Sequence, residues 1–568
     1  MPNWPQGLAV SDELALVRTG LPLTRDDARD CPAYLAVKAR PWLITAARLA
    51  TYEPLMTFAL KPLMAALDQV EHNRHPLEEV LAELRHSRGA FGRGRPAHDG
   101  LVEWTAEALI RYLDRREADQ HDRVAAGEPR TEAVPEEWVV RNRLPDHASP
   151  DARGARLYER TAWGRRYASA DGSVRELRLL SFGSAKKERP EAETAAAAFV
   201  AAFGEPCRSV YDVELMRTKA FEVVTPYDRM VVPQRVRIID VGCGDGSAEL
   251  LAERSRDEAQ SSYDQHTRPV LGRVLDAAER RPGNSCVECP GAGRCPALPS
   301  QAGLVGLPAP RRNRKRRSLS ASDLRAYTDC PAKYHLTREL NLRTARPENQ
   351  AIRRGRAVDA VLNERHAVRR SRGCRGLPAP ATSAWPGLDE ETVHVCEAML
   401  AQHAAVCPLD RLGATEEVRV QATVTAYDPT LDVVLIAKPD LLHTRRGGWI
   451  WRETKTTGSR IFEGKPVLEI HPQLALAVLL MQTGELAEGD RRRSRIELEL
   501  LHEEDSDRLE IDPWQPDVLQ EARRIVGEAA GPWLEDTAYT AAPGTACENC
   551  EALDWCRVGQ AHQVEQAD

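Results

Sequence analysis

The stretch VVLIAKPDLLHTRRGGWIWRETKTT, residues 433–457, decides the fold of this chain. VVLIAK predicts an apolar strand that leads to Asp440, and WIWRETK predicts a second strand. RRGG between them predicts a hairpin turn whose glycines take positive φ. Glu453 and Lys455 are two residues apart and share one face of the second strand, so the hairpin brings Asp440 beside them.

Two carboxylates and one lysine at strand ends predict a site for a divalent cation. Carboxylate oxygens suit Mg²⁺ or Mn²⁺, and the ammonium can orient an attacking water and oppose the charge that develops on a phosphate. Phosphodiester hydrolysis is the chemistry that this set suits. A Glu-x-Lys pair alone is also an ordinary surface pair, but Asp440 precedes it on the neighbouring strand, and cysteines flank the whole segment.

The cysteines follow one spacing in both halves of the chain. CVECPGAGRC at 286–295 and CENCEALDWC at 547–556 are both C-x2-C-x5-C, and each follows a remote cysteine in a Cys-Pro-Ala setting, Cys31 or Cys330. Four thiolates are the ligand count of a tetrahedral metal or a cubane cluster. The remote fourth cysteine and the x5 gap are untypical of zinc, but spacing alone leaves zinc and iron–sulfur both open.

Other similar segments occur in the same order in both halves and predict an internal repeat. The pairs are GRPAHDG from Gly94 with GRAVDAV from Gly355, EEWVVRNRL from Glu136 with EEVRVQATV from Glu416, and RELRLLSFGS from Arg175 with RETKTTGS from Arg452. We predict an α/β protein of two tandem, divergent repeats, residues 1–300 and 319–568. GLVGLPAPRRNRKRRSLS at 303–320 predicts an exposed basic linker, about 301–318, whose charges are solvated or contact phosphate.

Length and charge set broad limits. The chain has 568 residues, which favours two or more domains, and its net charge of −7 gives no overall attraction to nucleic acid. The N-terminus lacks a basic segment followed by an apolar one, and the longest apolar run, LALAVLLM at 474–481, is too short to span a bilayer. We therefore expect a soluble, cytoplasmic protein with reduced thiols and no membrane contact.

Residues from about 319 to 560 resemble the PD-(D/E)XK nuclease superfamily. Within it they are similar to RecB-type domains with an iron–sulfur cluster, such as that of bacterial AddB and the nucleases of CRISPR adaptation. The resemblance implies a restriction-endonuclease-like core. It implies that Asp440 and Glu453 bind the catalytic Mg²⁺ or Mn²⁺, that Lys455 is the motif lysine, and that Gln473 is the helical glutamine.

The resemblance also implies a [4Fe-4S] cluster on four cysteines of the second half, namely Cys330, Cys547, Cys550 and Cys556. Asp359 in GRAVDAV stands where the family usually has a histidine, and we expect it to be a third metal ligand. The tyrosine that often follows the glutamine is missing, since Leu476 or Ala477 stands there.

The first half departs further from the pattern. The alignment places His98 at the position of Asp359 and Glu176 at that of Glu453, but Arg178 replaces the lysine and TAWGRRYAS offers no carboxylate. We expect a catalytically inactive repeat that retains a second possible cluster. Its ligands would be Cys31, Cys286, Cys289 and Cys295, unless these are unrelated buried thiols.

We predict a metal-dependent deoxyribonuclease, an exonuclease on single-stranded ends, that acts in DNA repair and recombination or in defence against foreign DNA. A helicase or translocase would be a separate chain, since G-x-x-x-x-G-K-[ST] is absent. The alternative is a catalytically impaired iron–sulfur scaffold subunit that binds DNA. A third candidate is a methyltransferase fusion, because VRIIDVGCGDGSAELL from Val236 is similar to an S-adenosylmethionine loop. Five cysteines are predicted to be core thiols: Cys207, Cys243, Cys374, Cys396 and Cys407.

Overall fold

The computed structural model describes most of the chain. The described residues are 16–25, 30–41, 53–91, 95–145, 155–212, 217–218, 220–225, 230–275, 277–368, 372–458 and 466–567.

The strands of the first half are β1 Leu16–Thr19, β2 Thr131–Ala133, β3 Glu137–Pro145, β4 Ala155–Thr161, β5 Arg165–Ser169, β6 Val174–Ser181, β7 Glu205–Arg208, β8 Tyr211–Asp212, β9 Arg217–Thr218, β10 Glu222–Val223, β11 Arg235–Gly242 and β12 Ala248–Ser255. Those of the second half are β13 Arg317–Leu319, β14 Val418–Val420, β15 Val424–Asp428, β16 Val433–Ala437, β17 Leu441–Arg445, β18 Gly448–Thr456, β19 Arg495–Leu501 and β20 Ser506–Ile511.

The α-helices of the first half are Pro32–Lys38, Leu60–Glu71, Leu77–His86, Asp99–Ala125, Glu191–Phe203, Arg256–Ser262, Arg268–Leu275 and Ser285–Glu288. Those of the second half are Ala321–Asp329, Pro331–Tyr334, Gln350–Ala367, Glu390–Val406, Val467–Ile470, Pro472–Met481, Gly484–Glu488, Pro516–Glu535 and Arg557–Ala567.

Each half contains a five-stranded sheet with one topology. The order is β12-β11-β6-β5-β2 in the first half and β20-β19-β18-β17-β14 in the second. In each sheet the central strand, β6 or β18, is parallel to one neighbour, β11 or β19, while the other pairs are antiparallel. The predicted α/β class with two related halves is therefore confirmed.

The second sheets of the two halves also correspond. β13 is parallel to β16, and β16 is antiparallel to β15; β1, β4 and β3 are arranged in the same way. The helix Pro472–Met481 packs against strands of both second-half sheets, including β16 and β19. Its residues from Leu474 onward are all buried, which explains why LALAVLLM is apolar on every face.

The hairpin before β18 differs in detail from the prediction. The residues with positive φ are Arg446 (52°) and Gly447 (82°), not both glycines. Arg445 pairs with Gly448, so the turn has two residues, and a type I′ turn needs positive φ at both. Gly448 is required for space instead, because a Cβ there would lie 2.7 Å from backbone and side-chain carbons of Arg493.

The predicted basic linker, residues 301–318, packs against the rest of the protein at several points rather than being exposed throughout. Leu304 and Val305 are buried at 0% and 1% exposure, and β13 pairs with β16. Arg314 is also buried, and its Nη2 lies 3.4 Å from Glu53 Oε2. Composition suggested a solvated run because the carboxylates that pair with these arginines come from distant parts of the chain.

The methyltransferase candidate does not fit the topology. β11 and β12 are antiparallel neighbours, so residues 243–247 connect two strands of a hairpin. A cofactor loop of the kind considered leads from a strand into a helix. The glycines of this stretch serve the tight turn, where Gly246 has a φ of 74°.

The two halves share a hydrophobic core. The helix Asp99–Ala125 begins against the second half, where a Cβ on Gly100 would lie 2.8 Å from Leu336 Cδ1 and 2.9 Å from the Trp555 carbonyl oxygen. Leu336 and Trp555 belong to the same buried cluster as Leu101 and Trp104 of that helix. Among the described helices, none is both long and apolar enough to cross a membrane.

We expect Gly164→Ala to destabilise the first half. A Cβ at this buried position would lie 2.4 Å from the Arg178 carbonyl oxygen on β6, and backbone of a central strand yields little. Overpacking of this kind costs about 1–3 kcal/mol. Thermal and urea unfolding measure the effect, with Gly183→Ala as control because a Cβ there meets nothing within 4 Å. Equal stability of the two variants would contradict the prediction.

Candidate active site

An open cavity lies between the helix Gln350–Ala367 and the edge where β17 begins and β18 ends. Asp359, Asp440 and Lys455 line it, together with Gly355 and Thr456. A Cβ on Gly355 would lie 3.2 Å from Thr456 Oγ1, so glycine lets the helix approach the strand closely. The structure thus brings Asp359, from a helix about 80 residues upstream, to the two motif residues predicted from the hairpin.

Asp440 is held on both carboxylate oxygens. It lies at the bend immediately before β17, and the Thr454 backbone N–H donates to its Oδ2 at 2.8 Å. Gln421 Nε2 donates to Asp440 Oδ1 at 3.1 Å and lies 3.5 Å from Asp359 Oδ1. Gln421 therefore connects the two carboxylates. Sequence reasoning missed it, since a glutamine in a strand-like segment carries no distinctive signal.

Glu453 and Lys455 lie side by side on β18, as predicted from their spacing. Lys455 Nζ is 3.4 Å from Glu453 Oε2 and 3.9 Å from Asp440 Oδ2. The indole Nε1–H of Trp451 donates to Glu453 Oε1 at 3.0 Å and fixes that side chain. Glu453 is 8% exposed and Lys455 is 40% exposed, so the lysine is the member that faces solvent.

The electrostatics of the site show crowded negative charge. Burial, followed by the nearby Asp440 carboxylate, raises the pKa of Glu453 to about 7. The same two causes raise the pKa of Asp359. Burial by itself lowers the pKa of Lys455, but Asp440 and Glu453 outweigh it and the pKa is raised, so Lys455 stays charged.

Gln473 lies in the first turn of the helix Pro472–Met481 and is half-buried. His471 lies two residues before Gln473. Its pKa is lowered, first because the side chain is buried and then because of the charge on Lys455. The structure therefore places the start of this helix near Lys455. Gln473 is not among the residues that line the cavity in the described part of the chain.

The second-half cysteine set (Cys330, Cys547, Cys550, Cys556) lines one cavity, as the spacing predicted. Two backbone amides point at its sulfurs: the Ala542 N–H donates to Cys330 Sγ at 3.3 Å and the Gly559 N–H to Cys556 Sγ at 3.4 Å. Burial raises the pKa of Cys550 and of Cys556, and neighbouring thiols of the set raise both further.

Residues 318–557 match the model of the PD-(D/E)XK nuclease superfamily. This match covers less than half of the chain, but it contains Asp359, Asp440, Glu453, Lys455 and the second-half cysteine set. No curated protein matches the chain. A solved structure titled "Crystal structure of SSO0001" is similar at 12% sequence identity, with 43% of this chain and 86% of that chain covered and a TM-score of 0.22.

In the first half, outside the PD-(D/E)XK match, the glutamate on the central strand is paired with arginines. Glu176 on β6 is fully buried, with Arg178 Nε 2.6 Å from Oε1 and Arg123 Nη2 2.7 Å from Oε2. Burial by itself raises the pKa of Glu176, but Arg178 and Arg123 outweigh it and the pKa is lowered. Tyr167, not a carboxylate, is the β5 residue paired with Glu176.

His98 does not lie beside Glu176, contrary to the alignment. It caps the helix Asp99–Ala125, where its Nδ1 accepts from the Gly100 N–H and its Nε2 lies 3.0 Å from the Tyr539 carbonyl oxygen. The residues of that helix at the Glu176–Arg178 pair are Asp119 and Arg123, which lie about 30 Å or more from His98 along the axis at about 1.5 Å per residue. Segment similarity near Gly94 therefore did not reflect spatial equivalence.

The first-half cysteine set (Cys31, Cys286, Cys289, Cys295) also converges. Burial raises the pKa of Cys289 to about 11, and the thiols of the other three members contribute to the rise. Backbone amides of Arg281 and Gly283 donate to Cys31 Sγ and Cys286 Sγ at 3.5 and 3.4 Å. The guanidinium of Arg316 donates to the carbonyl oxygens of Cys286 and Cys289, which ties this set to the segment before β13.

Proposed function

We propose that the second half hydrolyses phosphodiester bonds in DNA at a divalent cation held by Asp359, Asp440 and Glu453. The observation that carries this proposal is that Asp359, Asp440 and Lys455 line one open cavity, with the Glu453 carboxylate 3.4 Å from Lys455 Nζ beside it. The match of the surrounding segment to the PD-(D/E)XK superfamily supports the same chemistry.

The donor set fits a hard cation. All three acidic side chains offer oxygens, and burial, followed by the charge of Asp440, raises the pKa of both Glu453 and Asp359. A bound Mg²⁺ or Mn²⁺ would polarise the phosphodiester and make water a better nucleophile. The choice of aspartate at position 359 favours oxygen-seeking ions over the softer metals that a histidine would accommodate.

The residues of the chain have separate tasks in this proposal. Lys455 faces the cavity and donates to the attacking water or to a phosphate oxygen, where its charge opposes the charge of the transition state. Thr454 and Gln421 hold the Asp440 carboxylate from two directions. Trp451 does the same for Glu453. Gln473 is proposed to steady the substrate or its water from the neighbouring helix.

We further propose that each cysteine set holds a [4Fe-4S] cluster. In the second half, four thiols line one cavity. In the first half, three thiols lie close enough to Cys289 to add to the rise in its pKa that burial causes. The clusters would tie chain segments together: in each half a helix near the start is joined to a cysteine triplet more than 200 residues later. Zinc is the rival occupant, and iron, sulfide and zinc contents measured per chain distinguish the two.

The first half is proposed to be inactive. Two guanidinium groups occupy both oxygens of Glu176, and the pairing leaves no oxygen pair for a cation. Its use would be structural or in guiding DNA. We further propose that the protein acts as an exonuclease on single-stranded ends and that any helicase or translocase is a separate chain. The proposed location is the cytoplasm, and the proposed role is in DNA repair or in defence.

The decisive experiment uses full-length, anaerobically purified protein on end-labelled single-stranded and double-stranded DNA. We expect loss of label with Mg²⁺ or Mn²⁺, no cleavage in excess EDTA, and recovery when metal is returned. The pattern of products separates attack at ends from internal cuts. Intact DNA under every metal, with retained DNA binding, would instead support the alternative of a non-cutting scaffold subunit.

We expect Gln421→Ala to weaken metal use without unfolding the protein. Gln421 bridges Asp440 and Asp359, and loss of a residue that orients ligands costs about 10–100-fold in metal affinity or activity. A titration of cleavage rate against Mn²⁺ measures the change. Gln520→Ala, at an exposed helical position, is the control. A wild-type titration curve for Gln421→Ala would remove Gln421 from the site.

A further inference from the structure

Four buried residues outside both cysteine sets form a compact cluster. His366 lies near the end of the helix Gln350–Ala367, Cys374 lies in the turn that follows, and His403 and Cys407 lie at the end of the helix Glu390–Val406. One ligand atom from each lies within 4.8 Å of all the others. From the sequence, Cys374 and Cys407 are predicted to be core thiols, and nothing in their spacing connects them with the two histidines.

The spacing of the ligand atoms agrees with one tetrahedral ion. His366 Nε2 lies 3.1 Å from His403 Nε2 and 3.8 Å from Cys407 Sγ. Zinc bonds of about 2.0 Å to nitrogen and about 2.3 Å to sulfur place two tetrahedral nitrogens about 3.4 Å apart and a nitrogen and a sulfur about 3.6 Å apart. The observed separations bracket these values.

A second layer of contacts orients the cluster. His403 Nδ1 donates to Glu499 on β19, 2.9 Å from Oε2, which leaves the His403 Nε2 lone pair directed at the other three residues. Glu499 is in turn paired with Arg452 on β18, Nη2 to Oε2 at 2.9 Å. A carboxylate behind a histidine is the usual support of a metal-bound imidazole.

The loop that carries Cys374 is shaped for close approach. Gly373 has a φ of 55°, and a Cβ there would lie 2.8 Å from Cys407 Sγ, so a side chain at this position would collide with the cluster. The surroundings are apolar, with Leu409 and Leu441 packed against the two cysteines. Polar groups buried in such a place need partners, and the nearest partners of these ligand atoms are the other members of the cluster.

We propose that His366, Cys374, His403 and Cys407 bind one structural zinc ion. Two imidazoles and two thiolates are a standard ligand set for structural zinc, and all four positions are filled by protein. The ion joins the helix that carries Asp359 to the helix Glu390–Val406 and, through Glu499, to the sheet that carries Glu453. The ion thereby fixes the distance between the helix that carries Asp359 and the sheet that carries Glu453, although it does not itself line the active-site cavity.

The test is the zinc content of the full-length protein, measured per chain by mass spectrometry after growth with zinc and purification without chelators. We expect Cys407→Ser and His366→Gln each to lose one zinc per chain relative to wild type. Cys396→Ser is the matched control, because Cys396 is fully buried on the same helix as His403 but belongs to no metal-binding group among the described residues. Circular dichroism confirms that each variant is folded.

X-ray absorption at the zinc edge of the wild-type protein decides the matter if the variants do not fold. Two sulfurs at about 2.3 Å and two nitrogens at about 2.0 Å support the proposal. Four results would each overturn the proposal. They are absence of zinc from wild type even after reconstitution, equal zinc in wild type and Cys407→Ser, an all-sulfur zinc environment, and a Cys374–Cys407 disulfide in anaerobically purified protein. None of these readouts depends on DNA cleavage.

Discussion

Lys455→Ala is expected to lower the rate of DNA cleavage by at least about 10²–10³-fold, the usual effect of removing one preorganised donor from a transition state. Lys455 Nζ lies within 4 Å of both Glu453 and Asp440, and their charges keep it protonated. Among the described residues, no other lysine or arginine lies within salt-bridge distance of these two carboxylates. Initial rates on end-labelled DNA at saturating Mn²⁺ measure the loss.

The fold should survive this change. The Lys455 side chain is 40% exposed, so its removal leaves no cavity in the core. Unfolding curves of the variant and of wild type should therefore agree closely. Lys438→Ala is the control, since Lys438 is exposed and lies two residues before Asp440.

Because the first half keeps its own residues in Lys455→Ala, the variant also tests whether that half cuts. Complete loss of cleavage means that one site does all the chemistry. Residual cleavage that Asp440→Asn also leaves in place would assign activity to the first half, and wild-type rates in both variants would refute the proposed site.

Cys330→Ser is expected to abolish binding of the proposed cluster and to destabilise the second half by several kcal/mol. The free energy of metal binding in such a site is folding free energy, because the site does not exist in the unfolded chain. Cys330 ends the helix Ala321–Asp329, and its partners lie in the segment 547–556, so the bond network closes a loop of more than 200 residues.

The loss should extend beyond the cysteines. Cys550 and Trp555 pack in the same buried cluster as Leu101 and Trp104 of the first half, so a loosened tail exposes the contact between the halves. Iron and acid-labile sulfide per chain, visible absorbance and limited proteolysis of the C-terminal tail measure the effect. Cys207→Ser, a buried thiol outside both cysteine sets, should keep full iron.

Loss of zinc in place of iron from Cys330→Ser would identify zinc as the occupant of the cysteine set. Unchanged metal content and unchanged stability would show that Cys330 is not a ligand. Either result leaves the carboxylate site untouched, because Cys330 and Lys455 line different cavities.

The predictions that succeeded depend on local order. The hairpin at 433–457 consists of two strands joined by a two-residue turn. Because side chains alternate along a strand, the sequence predicts which of them share a face of β18. The matching cysteine triplets and similar segments predicted two related halves because both repeats retain the order of their strands. The prediction that His98 occupies the position of Asp359 was wrong, because it depended on a short sequence similarity that no shared strand order supports.

Sequence by itself thus determined the strand pairing around Asp440, Glu453 and Lys455, since residues this close along the chain are positioned by one hairpin. Only the tertiary structure decided which distant residues join them. Strand pairing brings Gln421 to Asp440, and helix packing brings Arg123 to Glu176 and assembles the His366–Cys407 group, across gaps of tens of residues along the chain. Such contacts depend on how whole faces of helices and sheets bury their apolar surface, and no local pattern records that choice.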